Sequence, residues 1–250
     1  MIRFENVTKS FGSRQILKGV NLEIEQGKTT VIFGVSGGGK STIIKHIVGL
    51  LKPDSGTITV GDIRVDNADE KTLRQIRTKV GFLFQHGALF DSMNIRDNVA
   101  FPMREHQQLT PKQLEYKIDE KISMVGLDPA IVKTLYPEEL SGGMRKRVGL
   151  ARTLALEPDV ILYDEPTSGL DPVTSDFVTQ MINRLRDEIG MTSVLISHDI
   201  GESFKAGDNF AMLFDGIIVE SGDKETFRNS ANEVVQQFIH ARAEGPIAFH

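Results

Sequence analysis

The amino-acid sequence predicts an α/β fold with a mainly parallel sheet and helices on both of its faces. Short, apolar, β-branched segments such as 29–34 and 159–165 fit strands buried on both sides, and helical patterns follow them. The first 27 residues instead alternate apolar and polar side chains, which predicts half-buried strands at the N-terminus. Between about residues 91 and 156 strand patterns almost disappear, so we expect an inserted α-helical subdomain there.

The N-terminal part of the chain is dominated by strand patterns. "MIRFENVTKSF" and "ILKGVNLEIEQG" both alternate, and Gly27 ends the second segment. "TTVIFG" predicts a fully buried strand, and a glycine-rich turn leads from it into "STIIKHIVGLL". The apolar side chains of that segment share a helical stripe, so we expect a helix that runs to its end: Ile43, Ile44, Ile47, Leu50 and Leu51. "TITVGDIRV" predicts strands around a turn, and "KVGFLFQ" predicts another buried strand.

Helical and strand patterns then follow in separate blocks. Helices are predicted over "NIRDNVAFPMRE", "PKQLEYKIDEKISMVG" and the stretch after Gly142. "DVILYDE" and "TSVLISHD" predict strands that each lead into a helix, and "FAMLFDGIIVESG" predicts a hairpin around Asp215-Gly216. A last helix is expected in "NEVVQQFIHAR". We therefore expect one domain over 1–230, with the helical subdomain inserted, and a C-terminal helix and tail over 231–250.

Composition narrows the class of protein. The chain has 250 residues, 40% hydrophobic and 25% charged, which is typical of a globular protein. A net charge of −5 argues against nucleic acid as the main partner. There is no cysteine, which excludes disulfides, thiolate metal sites and cysteine nucleophiles. The N-terminus lacks the apolar stretch of a signal peptide, and no apolar run approaches the ~18 residues of a spanning helix. We expect any action at a membrane to require another chain.

A phosphate-binding loop is the strongest chemical signal. "GVSGGGKST" follows a buried strand, precedes a helix, and matches G-x-x-x-x-G-K-[ST]. Glycines allow several backbone N–H groups to point at one phosphate, and the helix N-terminus adds partial positive charge. Lys40 can reach the β- and γ-phosphates, and the Ser41 hydroxyl can ligate magnesium. The expected nucleotide-binding residues of this loop are Gly34, Ser36, Gly37, Gly38, Gly39, Lys40, Ser41 and Thr42.

Two carboxylates end the strand "VILYDE", and the carboxyl ends of strands are where α/β sheets place ligands. Asp164 suits magnesium, directly or through water. Glu165 can act as the general base that polarises an attacking water, a role worth about 10²–10⁴ in rate. His198 ends "TSVLIS" and Gln85 ends "VGFLFQ", so we expect both at the same edge. His198 is then placed to contact a γ-phosphate, and Gln85 to reach metal or water.

The stretch "LSGGMRKRVGLAR" forms a second candidate anion site. Ser141, Gly142 and Gly143 precede a helix, with Ser141 as its N-cap, and such a start can bind an anion. Spacing by itself leaves the bound group open. The stretch also contains four basic residues that are spread around the helix rather than lying on one stripe, so we expect them to be solvated or paired with acidic neighbours: Arg145, Lys146, Arg147 and Arg152.

Together, "GVSGGGKST", Gln85, "LSGGM", "VILYDE", "SGLD" at 168–171 and His198, in this order, resemble the nucleotide-binding subunit of ABC transporters over essentially the whole chain. The resemblance implies the ABC ATPase fold, with a P-loop NTPase core, an N-terminal antiparallel β subdomain and an inserted α-helical subdomain. It also implies ATP with Mg²⁺ and a head-to-tail dimer. Ser141, Gly142 and Gly143 would contact the γ-phosphate held by the partner chain, and Asp171 would lie across the dimer interface. ATP binding would close the dimer and hydrolysis would reopen it.

Two positions depart from the common family pattern. Met144 stands where glutamine is usual, which leaves the contact of that side chain open. Phe11 stands where a tyrosine often stacks on adenine; phenylalanine can still stack, although packing in the core is an equal alternative for this side chain.

A finer resemblance links "LSGGM", the segment Gln85–Glu105 and the C-terminal "QFIHARAEGPIAF" to the ATPases of bacterial Mla-type systems, which move phospholipid between inner and outer membranes. It implies integral membrane permease subunits, with Leu89, Phe90 and Met93 as a docking region for a coupling helix, and accessory lipid-binding and regulatory subunits. The tail would contact the other ATPase subunit. The implied location is the cytoplasmic face of the inner membrane. Burial of those three apolar residues and a disordered tail are the alternatives.

The main alternative function is an ATPase subunit of an importer for a small solute such as an amino acid. Only the 85–105 region, Met144 and the tail argue against it. A soluble ABC ATPase acting on ribosomes or DNA usually has tandem nucleotide domains or long coiled coils, and neither is present. A module that binds nucleotide without hydrolysis conflicts with Glu165 and His198.

Overall fold

The computed structural model describes residues 1–248 and has two sheets. Its strands are β1 Ile2–Phe11, β2 Arg14–Ile24, β3 Thr29–Gly34, β4 Ser55–Val60, β5 Ile63–Arg64, β6 Val80–Leu83, β7 Val160–Asp164, β8 Thr192–Ile196, β9 Asn209–Phe214 and β10 Ile217–Asp223. One sheet has the order β2-β1-β4-β5 and is antiparallel. The other has the order β10-β9-β3-β8-β7-β6, and only β10 is antiparallel in it. The predicted combination of two sheet types is confirmed.

Ten α-helices and two short 3₁₀ turns join the strands of the described chain. The helices are α1 Lys40–Ile47, α2 Glu70–Lys79, α3 Ile95–His106, α4 Pro111–Met124, α5 Pro129–Val132, α6 Gly142–Thr153, α7 Pro172–Ile189, α8 Ile200–Ala206, α9 Lys224–Arg228 and α10 Glu233–Ile239. The stretch between β6 and β7 contains α3 to α6 and no strand, as its sequence pattern indicates. None of the helices in residues 1–248 has the length and apolar character needed to cross a bilayer.

Among the helices of eight or more residues, two differ from the sequence expectation. The helix after the glycine-rich turn ends at Ile47 rather than Leu51, because Gly49 takes a left-handed φ of 63°. Leu50 is consequently 51% exposed instead of lying on the buried stripe. The helix α2 was not predicted. It is strongly charged and buries only Ile76, so its apolar periodicity is weak, although the Asp69 side chain caps it by accepting from the Thr72 N–H.

The core consists of two clusters, one on each face of the parallel sheet. One lies between this sheet and the antiparallel sheet and includes Ile43, Ile44 and Ile47 of α1. The other packs the helical segment and the C-terminal elements against the opposite face. In that second cluster Phe33 of β3 contacts the rings of Phe204, Phe210, Phe227 and Phe238 at centroid distances of 5.3–6.1 Å. Strand β3 is therefore held from both sides, directly before the glycine-rich turn.

The C-terminal tail folds back on its own subunit. The Gln237 side chain is buried and its Nε2 donates to the carbonyl of Ile247 at 3.1 Å, while its Oε1 accepts from the Ile247 N–H at 2.7 Å. Ile247 packs against the second core cluster. The described tail is therefore ordered by contacts within the chain. Residues 249 and 250 of the predicted tail lie outside the described residues.

Candidate active site

The glycine-rich loop joins the C-terminal end of β3 to α1. Gly34 is the last residue of β3, and Gly39 caps α1 with a φ of 106°. A side chain at Gly39 would strain this backbone, and its Cβ would lie 2.8 Å from Cγ2 of Ile16. The loop therefore presents main-chain N–H groups at a helix N-terminus without side chains in front of them, as anion binding requires.

Lys40 is held against this loop. Its Nζ donates to the carbonyls of Gly34 at 2.7 Å and Val35 at 3.0 Å, and the side chain is buried. Burial lowers the pKa of the Lys40 ammonium to about 8, although the charges of Glu165 and Asp164 act in the opposite direction. A buried ammonium bonded mainly to carbonyls is electrostatically prepared for an anion such as a phosphate.

Asp164 and Ser41 lie side by side, although 123 residues separate them in the sequence. The Ser41 hydroxyl donates to Oδ1 of Asp164 at 3.1 Å. Burial raises the pKa of the Asp164 carboxyl, with the bond from Ser41 and nearby lysines opposing that shift. Within residues 1–248 no cluster of three or more His, Asp or Glu side chains is placed to hold a metal. One carboxylate and one hydroxyl fit a hard cation such as Mg²⁺, which binds through few protein groups together with phosphates.

Glu165 is held by both residues predicted to lie near it. His198 Nε2 lies 2.8 Å from Oε1 of Glu165, and the Gln85 amide donates to Oε2 at 3.1 Å. With its nitrogen facing Glu165, the Gln85 amide leaves its oxygen for another ligand. The Glu165 backbone has a φ of 52°, unusual for a non-glycine residue, and its N–H donates to the Ile196 carbonyl at 3.0 Å. The carboxylate can thus take a proton from a bound water in a defined orientation.

Ser141 caps α6, as predicted, by accepting from the Met144 N–H at 3.2 Å. A Cβ at Gly142 would meet nothing within 4 Å, so this backbone faces open space. A Cβ at Gly143 would lie 3.0 Å from Cγ2 of Thr174 in α7. Asp171 caps α7 and accepts from Thr174 Oγ1 at 2.6 Å. The second anion site and Asp171 therefore adjoin one another at a surface of the same subunit.

Comparison with known proteins decides the family. The profile described as ABC transporter matches residues 17–168. The chain belongs to the ABC transporter family. The predictions of this family and of the ABC ATPase fold are confirmed, and as a member of it the chain is an ATPase.

Several relatives resemble this ABC ATPase over nearly all of its length. It is 38% identical to the "Intermembrane phospholipid transport system ATP-binding protein MlaF" of Escherichia coli K12, covering 100% of this chain and 92% of that protein. The corresponding protein of Haemophilus influenzae is 37% identical, with 100% and 94% covered. The "Probable ribonucleotide transport ATP-binding protein mkl" of Mycobacterium leprae is 43% identical, with 98% and 70% covered. The finer resemblance to Mla-type ATPases is thereby confirmed.

Solved structures agree with the fold. A dimeric ATP-binding cassette in a post-hydrolysis state with ADP and Pi superposes with a TM-score of 0.83 at 33% identity, covering 89% of this chain and 98% of the other. The cbiO1 subunit of the Clostridium perfringens cbiONQ transporter complex gives a TM-score of 0.82 at 29% identity, with 96% and 94% covered.

The basic residues after the "LSGG" sequence differ from the expectation for this ABC ATPase. Lys146 is only 7% exposed and donates to the backbone carbonyls of Glu165 and Ser168. Arg152 donates to the Gly87 carbonyl, and its guanidinium lies 5.3 Å from the Phe90 ring centroid. Arg145 and Arg147 also donate to backbone carbonyls. The expectation of solvated or acid-paired side chains is wrong for Lys146 and Arg152, because packing of α6 buries Lys146 and half-buries Arg152, and both donate to backbone carbonyls.

Phe11 lies at the end of β1 and is 49% exposed, so it is not a core residue. The Lys9 ammonium lies 5.7 Å from its ring centroid. The ring is therefore available to stack on a planar group. The neighbouring strand places Ile16 against Gly39, which brings this end of the antiparallel sheet close to the glycine-rich loop.

Sequence reasoning missed two contacts around the site. One is Lys146, which reaches the backbone of Glu165, and the other is Thr174, which joins the Gly143 and Asp171 regions. A lysine one turn into a helix carries no signal of its own. The spacing of Asp171 and Thr174 does resemble a capping arrangement and could have indicated the second contact.

Proposed function

We propose that this ABC ATPase is the motor subunit of a membrane transporter that moves phospholipid between the inner and outer membranes of bacteria. ATP hydrolysis drives it. The observation that carries the chemical part is the Glu165 carboxylate, whose two oxygens are engaged by His198 and Gln85 at the edge of the sheet that also holds the phosphate-binding loop.

ATP is bound, in this proposal, by the loop from Gly34 to Gly39 and the first residues of α1. Backbone N–H groups and the N-terminus of α1 receive the β-phosphate. Lys40 leaves the carbonyls of Gly34 and Val35 for the β- and γ-phosphates, and anionic oxygens raise its lowered pKa again. The half-exposed ring of Phe11 stacks on the adenine.

Mg²⁺ would be held by Ser41 and Asp164, with Gln85 contributing its amide oxygen. Support comes from the Ser41 hydroxyl beside the Asp164 carboxylate and from the raised pKa of the half-buried Asp164 carboxyl, which a cation would lower. When bound, the ion would neutralise charge on the β- and γ-phosphates.

Hydrolysis uses Glu165 as the general base. Its carboxylate takes a proton from the water that attacks the γ-phosphate, while His198 fixes the orientation of that carboxylate and contacts the γ-phosphate. The strained backbone of Glu165 adds to this orientation, because its N–H and carbonyl are both bonded to neighbouring elements.

A head-to-tail homodimer completes the site. Ser141, Gly142 and Gly143 of one subunit would donate to the γ-phosphate on its partner, and the neighbouring Asp171 would lie across the interface. The open space in front of Gly142 and the dimeric form of a similar solved cassette support this arrangement. Hydrogen bonds to a charged group contribute about 1.5–3 kcal/mol each, so ATP closes the dimer and loss of the γ-phosphate reopens it.

Glu165→Gln tests the hydrolytic part. We expect ATP binding to persist, turnover to fall by at least about 100-fold, and ATP to trap a dimer detectable by size-exclusion chromatography with light scattering. The exposed surface variant Glu188→Gln serves as the matched control. Normal steady-state turnover in Glu165→Gln would exclude Glu165 as the base.

The substrate assignment rests on relatives that match the chain along its full length and are named for intermembrane phospholipid transport. A second candidate is a small polar solute, because the mycobacterial relatives named for ribonucleotide transport have the higher identity of 43%. The amino-acid importer considered from the sequence falls in the same second class.

Permease subunits would dock beside α3. A groove of about 260 Å³ lies there, lined in part by Leu50, Phe82, Pro102 and Arg152. Phe90 and Phe101 are 41% and 37% exposed next to it, with ring centroids 5.0 Å apart. An exposed aromatic pair beside an apolar groove fits a short helix of a membrane subunit. This docking would place the ATPase on the cytoplasmic face of the inner membrane, where accessory lipid-binding and regulatory subunits would join the complex.

The proposal of a phospholipid substrate can be tested by purifying the tagged full chain, together with its membrane subunits, from detergent-solubilised native membranes. We expect a permease and bound phospholipid, identified by mass spectrometry, and loss of the permease in Phe90→Glu. Tyr116→Glu, at a 71% exposed position on α4, is the control that should retain it. Recovery of a nucleotide or amino-acid permease without phospholipid would favour the second candidate.

A further inference from the structure

Lys146 is a buried cation that has no role in the ATP binding and hydrolysis proposed above. It lies one turn after the Ser141 cap of α6 and is 7% exposed. Burial lowers the pKa of its ammonium, against the opposing charge of Glu165. A buried ammonium costs free energy unless it has good partners, so its contacts need a physical reason.

Both acceptors of Lys146 are backbone carbonyls in the loop between β7 and α7. They belong to Glu165, at 3.2 Å, and to Ser168. The same loop is tied internally, because the Ser168 N–H donates to the Glu165 carbonyl at 3.3 Å. Lys146 therefore connects α6 directly to the peptide group of the proposed general base.

The position of this contact matters because Glu165 has a φ of 52°. A non-glycine residue in this region is strained and keeps that conformation only when its surroundings hold it there. The N–H of Glu165 is bonded to Ile196, and its carbonyl accepts from Lys146 as well as from the Ser168 N–H. Movement of α6 would thus act directly on one of the bonds that hold the Glu165 backbone.

We propose that Lys146 is a positioning residue that couples the two ATP sites of the dimer, by tying the helix that contacts the partner's ATP to the general base of its own chain. The inference rests on the proposed function, in which Ser141–Gly143 of one subunit meet the ATP of the other. Occupation of one site then moves or steadies α6, and Lys146 transmits this to Glu165 at the other site.

Heterodimers with a single working base test this coupling. Two differently tagged full chains are co-expressed, and one of them carries Glu165→Gln, so that only one site hydrolyses ATP. Lys146→Met is then placed either in the chain with the intact Glu165 or in the chain with Glu165→Gln. Methionine keeps much of the apolar side-chain length and removes the donor.

We expect turnover to fall by about tenfold when Lys146→Met shares a chain with the intact Glu165, and by less than about twofold in the other arrangement. The reverse order is expected if Lys146 only supports Ser141–Gly143, because those residues serve the ATP of the other chain. An equal effect in both arrangements, or the reverse order, would overturn the proposal. In the Lys146→Met homodimer, the Hill coefficient for ATP should also fall towards 1.

Two further variants separate coupling from folding. Lys121→Met removes another buried lysine, one that is bonded to Glu120 and Glu157, and should give no difference between the two arrangements. Lys146→Gln retains an N–H donor and should restore part of the turnover. Lys146→Leu, which lacks the donor as methionine does, replaces Lys146→Met if that variant fails to fold. If a dimer with Glu165→Gln in both chains still hydrolyses ATP, the assignment of Glu165 as the base is wrong. If that dimer is inactive but Lys146→Met lowers turnover equally in both arrangements, only the coupling is refuted.

Discussion

His198 Nε2 lies 2.8 Å from Oε1 of Glu165, and the two residues lie just beyond the ends of the neighbouring parallel strands β8 and β7. The Gln85 amide, just beyond the end of the next strand β6, engages the other carboxylate oxygen. Three consecutive strands of the sheet therefore position one carboxylate. Such an arrangement fixes the direction in which the carboxylate accepts a proton, and it does so before nucleotide is bound.

Removal of the imidazole should slow hydrolysis more than it weakens binding. For His198→Ala we expect kcat to fall by about 10–100-fold and the ATP dissociation constant to rise by a smaller factor, because the base loses its orienting hydrogen bond whereas the phosphate-binding loop still holds the nucleotide. Single-turnover kinetics and equilibrium nucleotide binding measure the two quantities. His106→Ala, at the exposed end of α3, is the control. A weakening of binding equal to the loss of rate would contradict a role for His198 in orienting Glu165.

Burial of Lys40 should make the stability of the nucleotide-free protein depend on pH. The pKa of Lys40 is about 8 in the folded protein against an ordinary value of 10.5, so the unfolded chain binds more protons between these values. The parent should therefore gain stability relative to Lys40→Met as pH rises from about 8 towards 10.5. Below pH 8 the folded parent carries the full free-energy cost of burying the charged Lys40 ammonium. Urea unfolding of both proteins across this range measures the difference. A difference that does not vary with pH would contradict this prediction.

The tail should open when its side-chain anchor is removed. Gln237→Ala eliminates bonds to Arg242, Ala243 and Ile247, and we expect trypsin to cleave after Arg242 about tenfold faster. Intact-mass spectrometry over a digestion time course detects the shortened chain. Gln236→Ala is the matched control, since Gln236 bonds to Arg228 and Ser230 instead. Equal cleavage of both variants would show that Gln237 does not hold the tail in solution.

Met144 should matter little for hydrolysis. Its N–H completes the Ser141 cap, and its side chain packs partly buried against the second core cluster. For Met144→Gln we expect turnover within about threefold of the parent and a loss of up to about 1 kcal/mol in unfolding free energy. Ser141→Ala removes the cap, which costs about 1 kcal/mol in unfolding free energy. Because the N-terminus of α6 faces ATP in the proposed dimer, Ser141→Ala should reduce turnover much more than Met144→Gln does. Similar turnover losses in the two variants would assign Met144 a direct part in the site.

The sequence predicted much of the site because its members stand at recognisable positions. Glu165, His198 and Gln85 each follow or end a buried apolar strand, and parallel strands bring such ends to one edge. The glycine-rich turn between a strand and a helix, and the Asp215-Gly216 hairpin, were likewise readable from local spacing.

Less local features were not predictable. Helix α2 buries a single residue, so its pattern gave no amphipathic stripe, and α1 stops early because Gly49 adopts a left-handed conformation. The folding of the tail onto Gln237 depends on a buried amide whose partners lie 5 to 10 residues further along the chain.

By itself, the sequence determined the family, most of the strands and helices, and the residues that meet at the sheet edge, because motifs, strand periodicity, glycine turns and helix caps act over a few neighbouring residues. Only the tertiary structure decided what the basic residues of α6 do. Lys146 was expected to be solvated or paired with an acidic neighbour and instead contacts carbonyls 19 and 22 residues away. Packing of α6 against the β7–α7 loop excludes water from that ammonium, and backbone carbonyls replace the lost hydration.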